Sequence, residues 1–107
     1  MNLYLSGPMA GYPDHNFPAF EKARVKLRNA GYLVTCPAEL GKHDGWSWSD
    51  YLRRDIKVMM DCEAVALLEG WEKSKGAKLE VYVAKELEFR IEPVEFWLAY
   101  NLSRCEE

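Results

Sequence analysis

The stretch "AVALLE" (64–69) is a continuous apolar run that ends in one acidic residue. Such runs are typical of strands whose two faces are both buried, as in parallel sheets covered by helices. Apolar residues recur at helical spacing before this run, and the segment after it, 77–88, also has the pattern of a helix. This arrangement predicts an α/β protein built around a buried strand.

Outward from this strand, the chain alternates between short strands and helices. Strands are predicted at "NLYLS" (2–6), "YLVTC" (32–36) and "FRIEP" (89–93). Asn16 is positioned to cap a helix whose first turn accommodates Pro18 and which ends at Gly31.

Two further helical segments have recognisable starts or compositions. "SWSD" (47–50) has the spacing of a capping box and opens the helix that leads to the buried strand. The tail, 94–107, contains "EFWLAYNL" and predicts a short amphipathic helix. The resulting β-α-β-α-β-α-β-α alternation predicts one domain over 1–107.

The alternation also predicts the architecture. We expect a three-layer, Rossmann-like or flavodoxin-like parallel sheet of four or five strands, in the order 2-1-3-4, with helices on both faces. Such sheets bind ligands beyond the carboxyl ends of their strands, where the strand order reverses. The loops expected there are "SGPMAG" (6–11) and "GWEKSKG" (70–76).

Composition and charge exclude several classes of protein. The net charge is -3 and the charges are scattered, which argues against nucleic-acid binding. No apolar run approaches the ~20 residues of a membrane span. The three cysteines, Cys36, Cys62 and Cys105, have no CxxC spacing, so we expect a reduced, cytoplasmic protein with neither a disulfide framework nor a metal site.

The two loops at the reversal point match no standard phosphate motif. "SGPMAG" lacks the GxGxxG pattern, and "GWEKSKGAK" (70–78) lacks the GK[ST] ending of a P-loop. Gly7 would allow backbone to approach a ligand closely, and Pro8 would fix the shape of the turn. The same residues are compatible with a plain tight turn.

Glu80 is the most informative residue. Ala77, Ala84 and Leu87 lie at i−3, i+4 and i+7 from it, so Glu80 lies within an apolar helix stripe. It is also near the start of its helix, where the dipole favours an anion. We expect an ionised, partly desolvated carboxylate suited to nucleophilic or electrostatic catalysis. The alternative is a carboxylate at the edge of the stripe that reaches solvent.

Asp55 repeats this pattern between Leu52 and Met59 on the preceding helix. Two acids on the apolar stripes that flank one strand indicate a paired-carboxylate site, in which one group is anionic and the other donates a proton. Ser74 and Gly76 immediately precede the helix that carries Glu80, where a hydroxyl and free N–H groups can hold a phosphate. An ordinary N-cap is the alternative.

Other candidate residues have less specific patterns. Trp46, Trp48 and Trp71 lie at loop ends of the predicted sheet, where each can stack on a base or cap the core. Five basic residues can add positive potential near the proposed anion site, although solvated surface is their default interpretation: Arg53, Arg54, Lys73, Lys75 and Lys78. His15 and His43 lie in polar loops and are not assigned to a metal.

These segments resemble a known group of proteins. "LYLSGPMAG" (3–11), "NFPAF" (16–20) and "DIKVMMDCEAVALLEGWEKSKGAKLE" (55–80) are similar to the nucleoside 2-deoxyribosyltransferase-like superfamily. The closest likeness is to its small, poorly characterised bacterial and phage proteins, which are related to the deoxynucleoside-monophosphate N-glycosidases.

The resemblance implies roles for individual positions. Glu80 matches the catalytic glutamate that attacks C1′, Asp55 an aspartate near the base, and Tyr4 a tyrosine that hydrogen-bonds the catalytic carboxylate. Ser74 matches a phosphate-binding serine of the monophosphate hydrolases. The remaining candidate substrate-binding residues belong to the two loops: Ser6, Gly7, Pro8, Met9, Trp71 and Gly76. Pro8 departs from the pattern, because it replaces a residue that helps to hold phosphate.

The resemblance also implies a function. The expected activity is cleavage of the C1′–N bond of a (deoxy)nucleoside 5′-monophosphate, by hydrolysis or by transfer, with no metal or other cofactor. Members are generally dimers or larger, and the aromatic tail with Phe96, Trp97 and Tyr100 is a candidate interface. The alternatives are a nucleotide-binding or regulatory module that does not turn its ligand over, and a structural partner protein.

Overall fold

The computed structural model describes the backbone of residues 1–105 and the side chains of residues 1–100. Strands and helices alternate along the chain: β1 (Asn2–Ser6), α1 (Phe17–Asn29), β2 (Leu33–Thr35), α2 (Trp48–Met59), β3 (Ala64–Leu67), α3 (Lys75–Glu86), β4 (Arg90–Pro93) and α4 (Val94–Cys105). Short 3-10 turns lie at Pro13–Asn16, Pro37–Glu39 and Trp71–Lys73. The tail is thus helical to Cys105, and its last two residues, 106–107, lie outside the described residues.

The strands form a parallel sheet in the order β2-β1-β3-β4, which confirms the predicted fold and strand order. Within residues 1–105 the sheet has four strands, so the fifth that the sequence left open is not found there. β1 and β3 are the inner strands, and Ser6 pairs with Leu67 where both strands end. The reversal of strand order therefore lies between β1 and β3, as predicted.

Helices cover both faces of the sheet. Successive side chains of a strand point to opposite faces, so each inner strand contacts helices on both sides. In β1, Leu3 and Leu5 pack with α1 and α4, whereas Tyr4 packs with α2 and α3. β3 divides its side chains in the same way and is buried along its whole length. The prediction from "AVALLE" of a strand buried on both faces is confirmed.

α4 is part of the core rather than an accessory tail. Trp97 is buried, and its indole N–H donates to the Val65 carbonyl oxygen at 3.0 Å. The Tyr32 hydroxyl in turn donates to the Trp97 carbonyl oxygen at 2.7 Å. The expectation that Trp97 belongs to an interface is wrong, because the ring fills the space between the sheet and α4.

The starts of the helices follow local chemistry, with one exception. The capping box of α2 is confirmed: Ser47 Oγ accepts from the Asp50 N–H, and Asp50 Oδ2 accepts from the Ser47 N–H. Asn16 does not cap α1, because it has a left-handed backbone (φ 62°) and makes no side-chain cap bond. Its amide instead donates to the Pro8 carbonyl oxygen at 2.9 Å and ties the turn after β1 to α1.

Element boundaries differ from the predictions by one or two residues. β2 and β3 end before residues 36 and 68, and β4 begins at Arg90. α3 begins at Lys75 rather than at residue 77, because Ser74 caps it. Among the described residues, no helix combines the length and the apolar character that a membrane crossing requires.

Candidate active site

A cavity of about 580 Å³ opens at the carboxyl end of β1, one of the two strands between which the strand order reverses. Its walls come from the turn after β1, the start of α1, the segment after β2, α2 and the start of α3. This volume lies within the range of typical small-molecule sites, about 300–1,000 Å³. The cavity is therefore large enough for a nucleotide-sized ligand.

Glu80 contributes a buried carboxylate to this cavity. Its residue is only 5% exposed, yet it lines the cavity wall. The Tyr4 hydroxyl donates to Oε2 at 2.6 Å, and the Ser6 hydroxyl donates to Oε1 at 2.7 Å. Because Tyr4 and Ser6 are two positions apart on β1, both side chains point to the face on which α3 packs. Each carboxylate oxygen thus has its own fixed donor.

The electrostatics of Glu80 differ from the sequence prediction. Burial raises its pKa to about 7, although the hydrogen bonds from Tyr4 and Ser6 act in the opposite direction. The charge of Asp55 adds to the increase in pKa. Desolvation outweighs the two donors, so Glu80 holds its proton more readily than the ionised, partly desolvated carboxylate expected from the sequence.

Asp55 lines the same cavity from α2. Its side chain is 13% exposed, and its Oδ1 lies 3.1 Å from Arg54 Nε. Burial raises the pKa of Asp55, whereas Arg54 acts to lower it. The charge of Asp55 also raises the pKa of Tyr4, after burial and Glu80. The structure thus places Asp55 close enough to Glu80 and Tyr4 for its charge to raise the pKa of both groups.

The start of α3 forms another part of the wall, through Ser74 and Gly76. Ser74 Oγ accepts from the Ala77 N–H at 3.1 Å, so the N-cap alternative is correct for this residue. As a hydroxyl, it retains a proton to donate toward the cavity. Lys75 and Gly76 are the first residues of α3, and such N–H groups have no carbonyl partner in their own helix. This end of the helix suits an anion.

The turn after β1 contributes Gly7 and Met9 to the cavity. A Cβ at Gly7 would lie 2.7 Å from Leu68 Cβ, so glycine is required by packing against the chain that leaves β3. The reason inferred from the sequence, close approach to a ligand, is thus not what excludes a side chain here. Pro8 is fully buried and does not line the cavity.

Trp71 is also placed away from the cavity. It lines a separate pocket of about 320 Å³ and packs against the core beneath α3. Of the two alternatives for this ring, capping the core is the one that the geometry favours. Trp48, by contrast, lines the main cavity.

Several cavity residues were not predicted as ligand contacts from the sequence. They are His15, Phe17, Phe20, Lys42, Tyr51 and Arg54. Phe17 and Phe20 gave no separate signal in the sequence, because they belong to the apolar spacing of α1. The position of Lys42 could not be predicted, because it depends on the fold of an irregular loop. In the described part of the chain, no group of three or more His, Cys, Asp or Glu side chains is placed to hold a metal ion.

Comparison with known structures identifies the class of fold. The chain is similar to a 2-deoxyribosyltransferase from the psychrotolerant bacterium Bacillus psychrosaccharolyticus, with a TM-score of 0.67 and 17% sequence identity. The match covers 85% of this chain and 69% of that chain. The protein therefore has the α/β fold of the deoxyribosyltransferases, as the sequence resemblance implied.

The family follows from the sequence itself. The model of DUF4406, a domain of unknown function, matches residues 1–92. The chain belongs to this family, which has the deoxyribosyltransferase fold. No curated protein matches it.

Proposed function

We propose that this protein cleaves the C1′–N glycosidic bond of a (deoxy)nucleoside 5′-monophosphate, with Glu80 as the nucleophile. The observation that carries the proposal is a buried carboxylate at a cavity wall, with one hydroxyl donor on each oxygen. A glutamate at the protein surface is hydrated by water and does not need hydroxyl donors such as those of Tyr4 and Ser6. The deoxyribosyltransferase fold supports the same class of reaction.

In the proposed reaction, a carboxylate oxygen of Glu80 attacks C1′ as the C1′–N bond breaks. The electron pair of that bond leaves with the base, and positive charge develops on the sugar ring in an oxocarbenium-like transition state. Water or a second base then attacks C1′ and releases the carboxylate. Tyr4 and Ser6 fix the orientation of the carboxylate, which lowers the entropy that is lost on reaching the transition state.

Asp55 acts on the leaving base or on the sugar. Burial raises its pKa, so it holds a proton more readily than an ordinary aspartate does. A base that leaves as a neutral molecule needs one proton on its nitrogen, and a positioned carboxylic acid can supply it. Asp55 can otherwise orient the sugar hydroxyls as an acceptor.

The proposed phosphate site is the start of α3. The Ser74 hydroxyl and the first N–H groups of the helix provide donors, and the positive end of the helix dipole favours an anion. Lys42 and Arg54 add cationic groups to the same cavity. The aromatic wall, which includes Phe17, Trp48 and Tyr51, suits the flat faces of a base.

Assembly and location remain part of this proposal. We propose a homo-oligomer that acts on a small-molecule nucleoside or nucleotide in the cytoplasm, without nucleic acid, membrane or cofactor.

The test is release of free base from a panel of nucleosides, deoxynucleosides and their 5′-monophosphates, followed by liquid chromatography. We expect release from at least one monophosphate, at a higher kcat/KM than from its nucleoside. Inclusion of a second free base separates transfer from hydrolysis, because only transfer yields a new nucleoside.

A second candidate function is nucleotide binding without turnover. It is favoured by the pKa of Glu80, about 7, which leaves much of the nucleophile protonated at neutral pH. Binding of a monophosphate in calorimetry, with no base released between pH 6 and 9, would support this alternative.

A further inference from the structure

Arg54 connects Asp55 at the cavity wall to an irregular loop, residues 40–46. Part of this loop also lines the cavity. On one side its Nε contacts Asp55 Oδ1 at 3.1 Å. On the other side its Nη1 donates to the Gly41 carbonyl oxygen at 2.6 Å and to the Leu40 carbonyl oxygen at 3.3 Å. One guanidinium therefore joins a candidate catalytic carboxylate to the backbone of the loop.

Aromatic contacts hold the rest of the loop against α2. The His43 ring stacks on Trp46 with centroids 4.1 Å apart, and Trp46 meets the edge of Tyr51 at 5.1 Å. The Tyr51 hydroxyl accepts from the His43 N–H at 2.8 Å and donates to the His43 carbonyl oxygen at 3.0 Å. The loop has no regular secondary structure, so its conformation depends on such side-chain contacts.

Arg54 also lies at the centre of this aromatic cluster. Its guanidinium carbon is 5.6 Å from the Trp46 ring centroid and 5.2 Å from the Tyr51 ring centroid, both within cation–π range. Its side chain is only 18% exposed, so these contacts are partly shielded from water. The planar guanidinium can serve the carboxylate, the carbonyls and the rings together, which an ammonium group cannot do.

We propose that Arg54 is a positioning residue that holds the 40–46 loop in place as a wall of the cavity and, with the same side chain, fixes the orientation of Asp55. Gly41 and Lys42 of the loop then face the ligand together with Asp55. Movement of the loop and reorientation of Asp55 are coupled through this one group.

The coupling has a consequence for ligand recognition. With Oδ1 engaged by Arg54, Asp55 has its second oxygen left for the ligand. A ligand that offers a hydrogen-bond donor to that oxygen, such as an amino group of a base or a sugar hydroxyl, gains a partner that is already oriented. The importance of Arg54 for activity rests on the proposed function, but its positioning role does not.

The test compares Arg54→Gln with Arg53→Gln, a matched control that removes the same charge from the exposed neighbouring residue. Hydrogen exchange of the 41–46 amides reports on the loop, and carbon NMR of the Asp55 carboxyl reports its titration. Neither measurement needs a substrate, so both remain informative if no base release is found.

In Arg54→Gln we expect exchange in the loop to accelerate by about ten-fold or more, because charge-assisted bonds to the loop backbone are lost. We expect the Asp55 pKa to rise, because the cation that lowers it is gone. Arg53→Gln should change neither. If the protein is active, kcat/KM should fall by about ten-fold in Arg54→Gln alone.

Arg54→Lys retains the charge and serves as the second variant, including the case in which Arg54→Gln does not fold. It should keep the Asp55 pKa near that of the wild type, because a positive charge remains beside the carboxyl. The loop should still exchange faster, because an ammonium group cannot bond to Asp55 and to the loop carbonyl oxygens at the same time. Unchanged exchange in the loop, or equal changes in Arg53→Gln, would overturn the proposal.

Discussion

The Tyr4 hydroxyl donates a 2.6 Å hydrogen bond to Glu80 Oε2, joining residues that are 76 positions apart in the chain. Tyr4 lies in the inner strand β1, and Glu80 lies in the first half of α3. Both side chains are buried, so the bond is shielded from competing water. This contact, with its counterpart from Ser6, is what turns a costly buried carboxylate into an oriented one.

Tyr4→Phe is expected to shift the pH profile of base release. The Tyr4 bond lowers the pKa of Glu80, so its loss should raise that pKa above about 7. Because the nucleophile must be ionised, the acid limb of kcat/KM should move to higher pH, with part of the activity recovered in alkaline buffer. Tyr82→Phe, on the exposed side of α3, is the control and should leave the profile unchanged.

An acid limb that stays in place in Tyr4→Phe would mean that a group other than Glu80 controls the reaction at low pH. The hydrogen bond of the Tyr4 hydroxyl would then have a structural role in the core and no role in the reaction.

Glu80 also predicts a pH dependence of stability. Its pKa is about 7 in the folded protein, compared with about 4.5 for the free group, so the unfolded chain releases this proton at lower pH than the folded chain does. The contribution of Glu80 to the free energy of unfolding should therefore fall as pH rises from about 4.5 to about 7, by on the order of 3 kcal/mol. Glu80→Gln should lack this decrease.

The measurement is urea unfolding of both proteins across this pH range, and Glu86→Gln, an exposed site on the same helix, is the control. We expect Glu80→Gln to become more stable than the wild type at the alkaline end. Parallel curves for the two proteins would show that the Glu80 carboxyl is not desolvated in solution.

Asp55→Asn is expected to reduce turnover by about 10²–10⁴-fold, the range typical of a positioned proton-transfer group. The amide keeps the shape of the side chain but cannot release a proton, so ligand affinity should change much less than kcat. Calorimetry with the best monophosphate and steady-state kinetics separate the two effects. Asp61→Asn, an exposed residue just beyond α2, is the control. Collapse of the fold in Asp55→Asn, seen by circular dichroism, would assign this residue to structure instead.

Ser74→Asp is expected to reverse the preference for a phosphorylated ligand. Aspartate is as good an N-cap as serine, so α3 should remain capped, while a negative charge is added where the phosphate is proposed to bind. The wild type should bind a nucleoside 5′-monophosphate more tightly than the nucleoside in calorimetry, and the variant should bind the nucleoside more tightly. Ser47→Asp adds the same charge at the start of α2, outside the cavity, and should not reverse the order. Equal affinity of the wild type for both ligands would refute the phosphate site.

The layout of the sheet could be predicted because its signals are local and strong. The apolar run at 64–69 and its flanking helices determine a parallel sheet, and the handedness of crossovers then limits the strand order. The role of α4 could not be predicted, because an amphipathic tail has the same sequence pattern whether it packs on its own sheet or on a partner. Only the tertiary position of Trp97, against Val65, distinguishes the two cases.

Residues of the candidate site were predictable where a polar residue interrupts an apolar pattern. Glu80 and Asp55 stand out in this way, and both line the cavity. Arg54 does not stand out, because adjacent residues on a helix ordinarily point in different directions, yet here Arg54 contacts Asp55. The raised pKa of Glu80 could not be predicted, because a sequence shows the helix dipole but not the depth of burial.

The most direct test of the central claim is the rate of base release by Glu80→Gln, measured beside the wild type and Glu86→Gln with the best substrate of the panel. The glutamine side chain preserves the volume of Glu80, and its amide oxygen can still accept from one of the two hydroxyls while its NH2 group donates to the other. An amide cannot act as a carboxylate nucleophile at C1′. We predict a loss of at least about 10³-fold in kcat for Glu80→Gln, with the fold intact and Glu86→Gln unaffected. Base release by Glu80→Gln at a rate close to that of the wild type would contradict the account.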